Sequence, residues 1–374
     1  MFKMFFSDFI NRFNNYSYRL HKLSPVILFV LVSILVLFGI YMSFSATLII
    51  AGPKYLSRHI FFAIIGLLTF LLCGFLIDYK TYEKLKYPIF IGVILLLIFS
   101  VFFGHSAKGA VRWIPLPLGF RFQPSELVKI TIIIIMADFI ARKKKFINLN
   151  NNMIAPLLYI AVPCILIGKQ DLGTVILISV TWLIMLFIAG LSWKKTISIF
   201  ALLLSGYAIY IIIKPHRITR VVDYVNSVFD IYSAHPNVKA ALVAFGSGGL
   251  FGKGPGAGEM KLRHLPELHT DFIFPIVGEE FGFFGSLITI FLFLAILFCG
   301  LLITKNCKNE FGKNLAFGIT IIFFLQVMIN MGMTTGIIPT KGMTLPFISY
   351  GGTSMITSMM MMGILFNIAK EDKK

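Results

Sequence analysis

The stretch Gly246–Gly285, GSGGLFGKGPGAGEMKLRHLPELHTDFIFPIVGEEFGFFG, passes from loop chemistry to membrane chemistry without a break. Its first part crowds glycines, cations, carboxylates and two histidines together. Beyond Asp271 it becomes an apolar helix pattern. It is the only long polar segment after the first hydrophobic run, so the rest of the chain is read outward from it.

On both sides lie apolar runs of about 20 residues, each long enough to cross a ~30 Å hydrocarbon core as a helix. The 374 residues are 57% hydrophobic and 13% charged, against roughly 45–50% and 25% in soluble domains. The short alternating segments of a membrane β-barrel are missing. The class is therefore an all-α integral membrane protein. Ten spans are expected, at about 25–46, 57–78, 86–104, 125–142, 153–169, 172–190, 194–213, 272–304, 313–335 and 344–369. A large extracytoplasmic loop at 214–271 separates helices 7 and 8. Residues 1–24 form a basic, aromatic N-terminal tail, 25–369 the transmembrane domain and 370–374 a short C-terminal tail.

The net charge of +18 invites a nucleic-acid reading. The cations instead sit in short loops between spans, as topology signals do. With the N-terminus inside, 19 of the 34 Lys and Arg fall on the inner side and 14 on the outer side, which is longer. Both termini are thus expected in the cytoplasm, with no nucleic-acid partner. The four cysteines, Cys73, Cys164, Cys299 and Cys307, lack metal-ligand spacing and read as packing residues.

Three polar constellations fall on the outer side. In the first, residues 105–129, three prolines make most of the segment loop, and Pro124-Ser125-Glu126 opens a helix. Glu126 and Lys129, three apart, share a face of that helix. Ionisable groups entering a span cost about 2.5–3.5 kcal/mol each at its centre, so they face a wet cavity or each other. A structural ion pair and a substrate groove both fit; Arg112 adds a cation nearby. The second is the organising stretch. Its glycines let backbone approach a ligand closely, and backbone N–H groups with Lys253, Lys261 and Arg263 could hold phosphate oxygens; a plain loop fits equally. His269 and Thr270 precede Asp271, which stands where loop becomes helix. It is a helix cap, a general base or a cation ligand. Of Glu279 and Glu280, only one is expected to share its face. The third, residues 337–355, carries Lys341 and Ser349 in a path broken by prolines and glycines. Such backbone at membrane depth must be buried or line a cavity. A further polar reversal, KQDLGT at 169–174, reads as a turn with Asp171 capping the next helix.

Carboxylates, cations and a broken-helix floor on one face suit an anionic amphiphile with its head outside and its tail in the bilayer. A lipid pyrophosphate is a natural candidate. At this point the motifs GSGGLFGKGPGAG, LPELHTDFIF, GEEFG, RFQPSELVK and PTKGMTLPFISYGG are similar to those of the SEDS family (shape, elongation, division and sporulation proteins), across nearly the whole chain. PTKGMTLP and GPG resemble the division members more than the elongation members. Departures fall at Gln170-Asp171, where a proline usually intervenes, at Val111 and at Thr353.

The resemblance implies a ten-span peptidoglycan glycosyltransferase of the bacterial cytoplasmic membrane, acting on lipid II at the division site. It implies Asp271 as the essential aspartate and Glu126 and Lys129 as the groove pair. A class B penicillin-binding protein transpeptidase is the implied partner, with other divisome proteins. No organic cofactor is expected; a divalent cation, Mg or Mn, at Asp271 fits the chemistry. A lipid II flippase, an elongation polymerase and a non-catalytic scaffold are the rival readings. The first differs by needing no bond-making carboxylate.

Overall fold

Apolar runs interrupted by Gly, Pro and capping Asx residues fold, among the described residues, into twelve helices and one small sheet. The computed structural model describes the backbone of all residues except 1, 52, 108–109, 118–119, 145–146, 169, 213–214, 231–232, 260–269 and 372–374. Side chains are described outside those positions and outside 2–21, 47–51, 53–54, 105–107, 110–112, 150–152, 215–217 and 228. The helices are α1 (Phe2–Ala51), α2 (Pro53–Leu71), α3 (Tyr79–Phe103), α4 (Pro124–Lys143), α5 (Asn150–Gly168), α6 (Leu172–Ile188), α7 (Trp193–Ile212), α8 (Pro215–Phe229), α9 (Pro236–Gly248), α10 (Ile273–Asn306), α11 (Glu310–Thr334) and α12 (Gly352–Glu371). A single π-helical turn, Leu72–Leu76, continues α2. Caps set several starts: Asp78 accepts from Lys80 N, Asp171 from Thr174 N and Asn309 from Gly312 N.

Each expected span overlaps a helix, but the last, 344–369, is helical only from Gly352, and 344–351 is a non-helical approach to it. Seven helical segments among the described residues are both long and apolar enough to cross a membrane, and Met153–Gly168 and Leu172–Ile188 are apolar but shorter. The expected 125–142 span, α4, carries Glu126, Lys129, Asp138, Arg142 and Lys143. It nevertheless buries sixteen of its twenty residues, the signature of a helix surrounded by protein. The bundle is built around it: α4 packs on α3 and α11, α11 on α10, and α12 on α2. The outward faces of α1, α2, α3, α5 and α10 expose Leu, Ile, Val and Phe, and α7 has no buried residue. In a multi-span membrane protein these faces meet lipid. At the other end of α4, Asp138 accepts from Lys86 Nζ at 2.7 Å and from Arg142, locking α3 to α4.

Two expectations need correction. The 105–124 segment is not mainly loop: β1 (His105–Ala107), β2 (Ala110–Pro115) and β3 (Arg121–Phe122) form an antiparallel sheet in the order β1-β2-β3. Its prolines break helix but fall at the end of β2 and beyond it, where a strand needs no N–H. The large loop also contains structure. Apolar Ile218, Val221, Val222 and Val225 recur at helical spacing in α8, and Pro236 with the His235 cap starts α9.

The glycine-rich stretch is a bracket around the first turns of α10. At 34 residues α10 would be about 51 Å long if regular, but it breaks at Gly282, where φ is 69° and ψ −162°. Across that break Phe283 N and Phe284 N donate to the Gly249 and Leu250 carbonyls, while Lys253 N and Gly254 N donate to those of Glu279 and Glu280. Backbones touch here: a Cβ on Gly248 would lie 2.0 Å from the Gly278 carbonyl oxygen, and one on Gly282 2.4 Å from Gly252 N. The φ/ψ of Gly282 belongs to a region only glycine occupies at little cost. Gly282→Ala is expected to destabilise the protein by more than about 2 kcal/mol, read as a Tm lowered by several degrees in detergent; Gly246→Ala, with open space around it, serves as the neutral control.

Candidate active site

Five chain segments converge on a cavity of about 360 Å³ at one end of the bundle. The first turns of α4 bring Gln123, Glu126 and Lys129, and the start of α6 brings Asp171 and Thr174. Thr270 and Asp271 come from the entry to α10, and 342–344 with 350–354 from the segment leading into α12. Tyr55 and Arg58 of α2 close one side together with Trp113, Phe120 and Arg121 of the small sheet.

Lys129 is 1% exposed, and its Nζ lies 2.7 Å from Glu126 Oε2 and donates to Gln326 Oε1 at 2.8 Å. The i,i+3 spacing on α4 makes the pair local, so Lys129 finds its counter-charge within one helical turn. Gln326 passes the chain on, donating from Nε2 to the Thr344 carbonyl at 3.0 Å. Asp171 has two tasks. It accepts from Thr174 N and Oγ1, both at 3.0 Å, as the cap of α6, and from Gln123 Nε2 at 3.2 Å across to α4. Asp271 is half-buried. Its Oδ2 would lie 3.1 Å from a Cβ on Gly342, so a side chain there would crowd it. Its backbone carbonyl accepts from Asn330 Nδ2 at 3.0 Å. The cavity thus joins a carboxylate-and-lysine end to an arginine-and-aromatic end. The latter is organised by Arg58 over the Phe120 ring at 5.5 Å and by the Tyr55–Tyr350 edge contact at 5.4 Å.

Of the residues singled out in the sequence, Asp271, Thr270, Glu126 and Lys129 line this cavity together. Lys341 stands beside Asp171 just outside it: Lys341 Cδ and an Asp171 oxygen both approach the Cβ position of Gly173. Three others serve the framework instead. Glu280 is 0% exposed; it accepts from Ser45 Oγ and from Gly256 N. Lys253 pairs with Glu259 and buried Glu279, each at 3.3 Å. Ser349 accepts from Leu345 N at 2.8 Å. The N–H groups read as a phosphate nest are spent in this way on the two glutamates, because those carboxylates are buried and need donors. Lys261, Arg263 and His269 lie outside the described residues, as does the Arg112 side chain. Asp171, read as a cap alone, reaches the cavity as well. Arg58, Arg121, Tyr55 and Tyr350 carried no sequence signal beyond being polar residues near span ends.

Burial pushes the Lys341 ammonium down to about 8, against the opposing pull of Asp171. The folded state thus disfavours its charge. The resulting destabilisation is complete below pH 8 and is relieved as pH rises toward the ordinary lysine value. Acylation of Lys341, followed by peptide mass spectrometry, is expected to reach half its maximal rate near pH 8, well before exposed lysines. The Lys129 pair gives a second test. Lys129→Met leaves Glu126 buried without its partner and is expected to cost about 3–5 kcal/mol. The double variant Glu126→Gln/Lys129→Met regains most of that loss; thermal unfolding in detergent measures both.

Comparison with known proteins gives the site its context. The model of the cell cycle protein family of FtsW, RodA and SpoVE matches residues 25–374. A relative from Geobacter sp. (strain M18), "Probable peptidoglycan glycosyltransferase FtsW", is 34% identical, with 92% of this chain and 96% of the relative covered. Stage V sporulation protein E of Bacillus subtilis (strain 168) is 35% identical, covering 93% and 98%. A chain of a solved peptidoglycan synthase complex shares the fold at a TM-score of 0.78 and 24% identity, covering 93% of this chain and 98% of that one. RodA of Thermus thermophilus shares it at 0.68, with the same identity and coverage of 93% and 97%. The helix bundle, the convergent cavity and these matches lead to one conclusion: this chain belongs to the FtsW/RodA/SpoVE family, the SEDS family that its motifs resemble.

Proposed function

We propose that the chain is a peptidoglycan glycosyltransferase that polymerises lipid II, the undecaprenyl-pyrophosphate disaccharide-pentapeptide, on the outer face of the bacterial cytoplasmic membrane. The observation carrying this reading is the placement of Asp271 in one cavity with the buried Glu126–Lys129 pair. Read with ten spans and both termini cytoplasmic, the orientation that the basic short loops support, that cavity opens to the outer side. The FtsW-named relatives support a role in septal synthesis. The relation to a synthase complex that couples polymerization to crosslinking supports a class B penicillin-binding protein transpeptidase as partner, within the divisome.

The chemistry follows from the side chains. An acceptor hydroxyl forms a bond to the donor's anomeric carbon while that carbon's bond to the pyrophosphate oxygen breaks. Asp271 takes the hydroxyl proton. The lipid pyrophosphate departs with the electron pair, and Lys129, Arg58 and Arg121 along the wall offset its charge. The Glu126 carboxylate aims Lys129 from one turn away. Among the described residues no three metal-ligating side chains cluster. Asp271 is the carboxylate that would hold a Mg²⁺ or Mn²⁺. Such an ion would add charge neutralisation on the pyrophosphate.

The decisive experiment supplies labelled lipid II to the purified chain with its transpeptidase in detergent, where no flipping is needed. Wild type is expected to form glycan polymer, and Asp271→Ala and Asp271→Asn to lose it by about 10²–10⁴-fold. Full activity in Asp271→Asn overturns the assignment of the base; an inactive wild type in a folded complex favours a flippase.

A further inference from the structure

Helix α11 carries two buried amides one turn apart, Gln326 and Asn330, 1% and 0% exposed. Their i,i+4 spacing stacks them on one face. Gln326 takes the Lys129 ammonium and donates to the Thr344 carbonyl. Asn330 donates from its single Nδ2 to two carbonyls, that of Asp271 at 3.0 Å and that of Met343 at 2.6 Å. Its Oδ1 is buried and has no hydrogen-bond partner among the described residues. An amide oriented to satisfy two carbonyls while its own oxygen goes unmatched is held for what its N–H groups grip. Burying an unmatched acceptor costs about 1–3 kcal/mol, and apolar residues of similar shape avoid that cost.

What Asn330 grips are Asp271, two residues before α10, and the loop before α12. Between these lies Gly342, against which the Asp271 carboxylate sits. The entry to α10 has no side-chain cap: Phe272 occupies the cap position without a side-chain hydrogen bond. A contact from another helix, the Asn330 amide, anchors the Asp271 backbone at this entry. We infer that Asn330 is a positioning residue for the glycosyl transfer: by joining the Asp271 and Met343 carbonyls it holds the Asp271 carboxylate in register with Lys129, which Gln326 fixes from the same helix face. Asn330 touches no reacting atom; it acts through residue 271. The inference rests on the reading of Asp271 as the base.

The test measures initial polymerisation rates over a range of lipid II concentrations, using the full chain bound to its transpeptidase. The variants are Asn330→Leu, which removes the donors at similar volume, Asn330→Asp, which keeps shape but presents acceptors to two carbonyls, and Asp271→Asn. A reacting group displaced by about 1 Å costs about 100-fold, so both Asn330 variants are expected to lose about that factor in kcat, with KM within threefold of wild type, and to fold with a Tm lowered by several degrees because two buried carbonyls lose their donor. A kcat within threefold of wild type in either folded variant overturns the inference, as does a rise in KM alone. Failure of both variants to fold assigns Asn330 to the scaffold and equally overturns it. An active Asp271→Asn removes the catalytic reading itself, and that variant alone decides it.

Discussion

A charged lysine in an apolar interior constrains much of this molecule. Lys129 is taken out of water within a helix that is otherwise a run of aliphatic side chains, and an isolated ammonium there would not stay charged. Glu126 one turn away and the Gln326 oxygen across the helix interface supply what solvent would have supplied. Gln326 must then be buried, α11 must pack against α4, and the Thr344 carbonyl must come within reach of the other end of the amide. A buried lysine thus ties together the packing of three segments.

The glycine-rich stretch shows the opposite economy. It is polar in sequence, yet in the structure its polarity is turned inward. Glu279 and Glu280 are fully buried, and the backbone N–H groups of the bracket satisfy their carboxylate oxygens. That backbone must pass within contact distance of α10, so glycines are required at Gly248 and Gly282 for space and for an otherwise forbidden φ/ψ.

The fold class was legible because twenty-residue apolar runs admit few alternatives in a bilayer. That Asp271, Glu126 and Lys129 would face a common cavity was legible because an ionisable group at a span's end has to have a reason. The small sheet was not, since its strands are two to six residues long and interrupted by prolines. The roles of Glu280 and Lys253 were not either. Local sequence shows a charge but not the long-range partner that consumes it, and Ser45 is 235 residues from Glu280. Asp171 looked sufficient as a helix cap; only the approach of Gln123 from α4 reveals its second task. Asn330 was invisible for a related reason. An amide in the middle of an apolar helix carries no label saying which carbonyls it will meet.

The ion pair of α4 also has a consequence for how the protein is made. Gln326 lies 197 residues after Lys129, so at about 5–20 residues per second α4 emerges some 10–40 s before its amide partner exists. During that interval the helix must enter the bilayer with its lysine already compensated. The i,i+3 placement of Glu126 allows this, because the neutralising group is delivered in the same turn. At the far end Asp138 is served by Lys86, which has already been synthesised, and by Arg142 in the next turn. The charges of α4 are thus matched in the order of translation, and only the final hydrogen bond waits for α11.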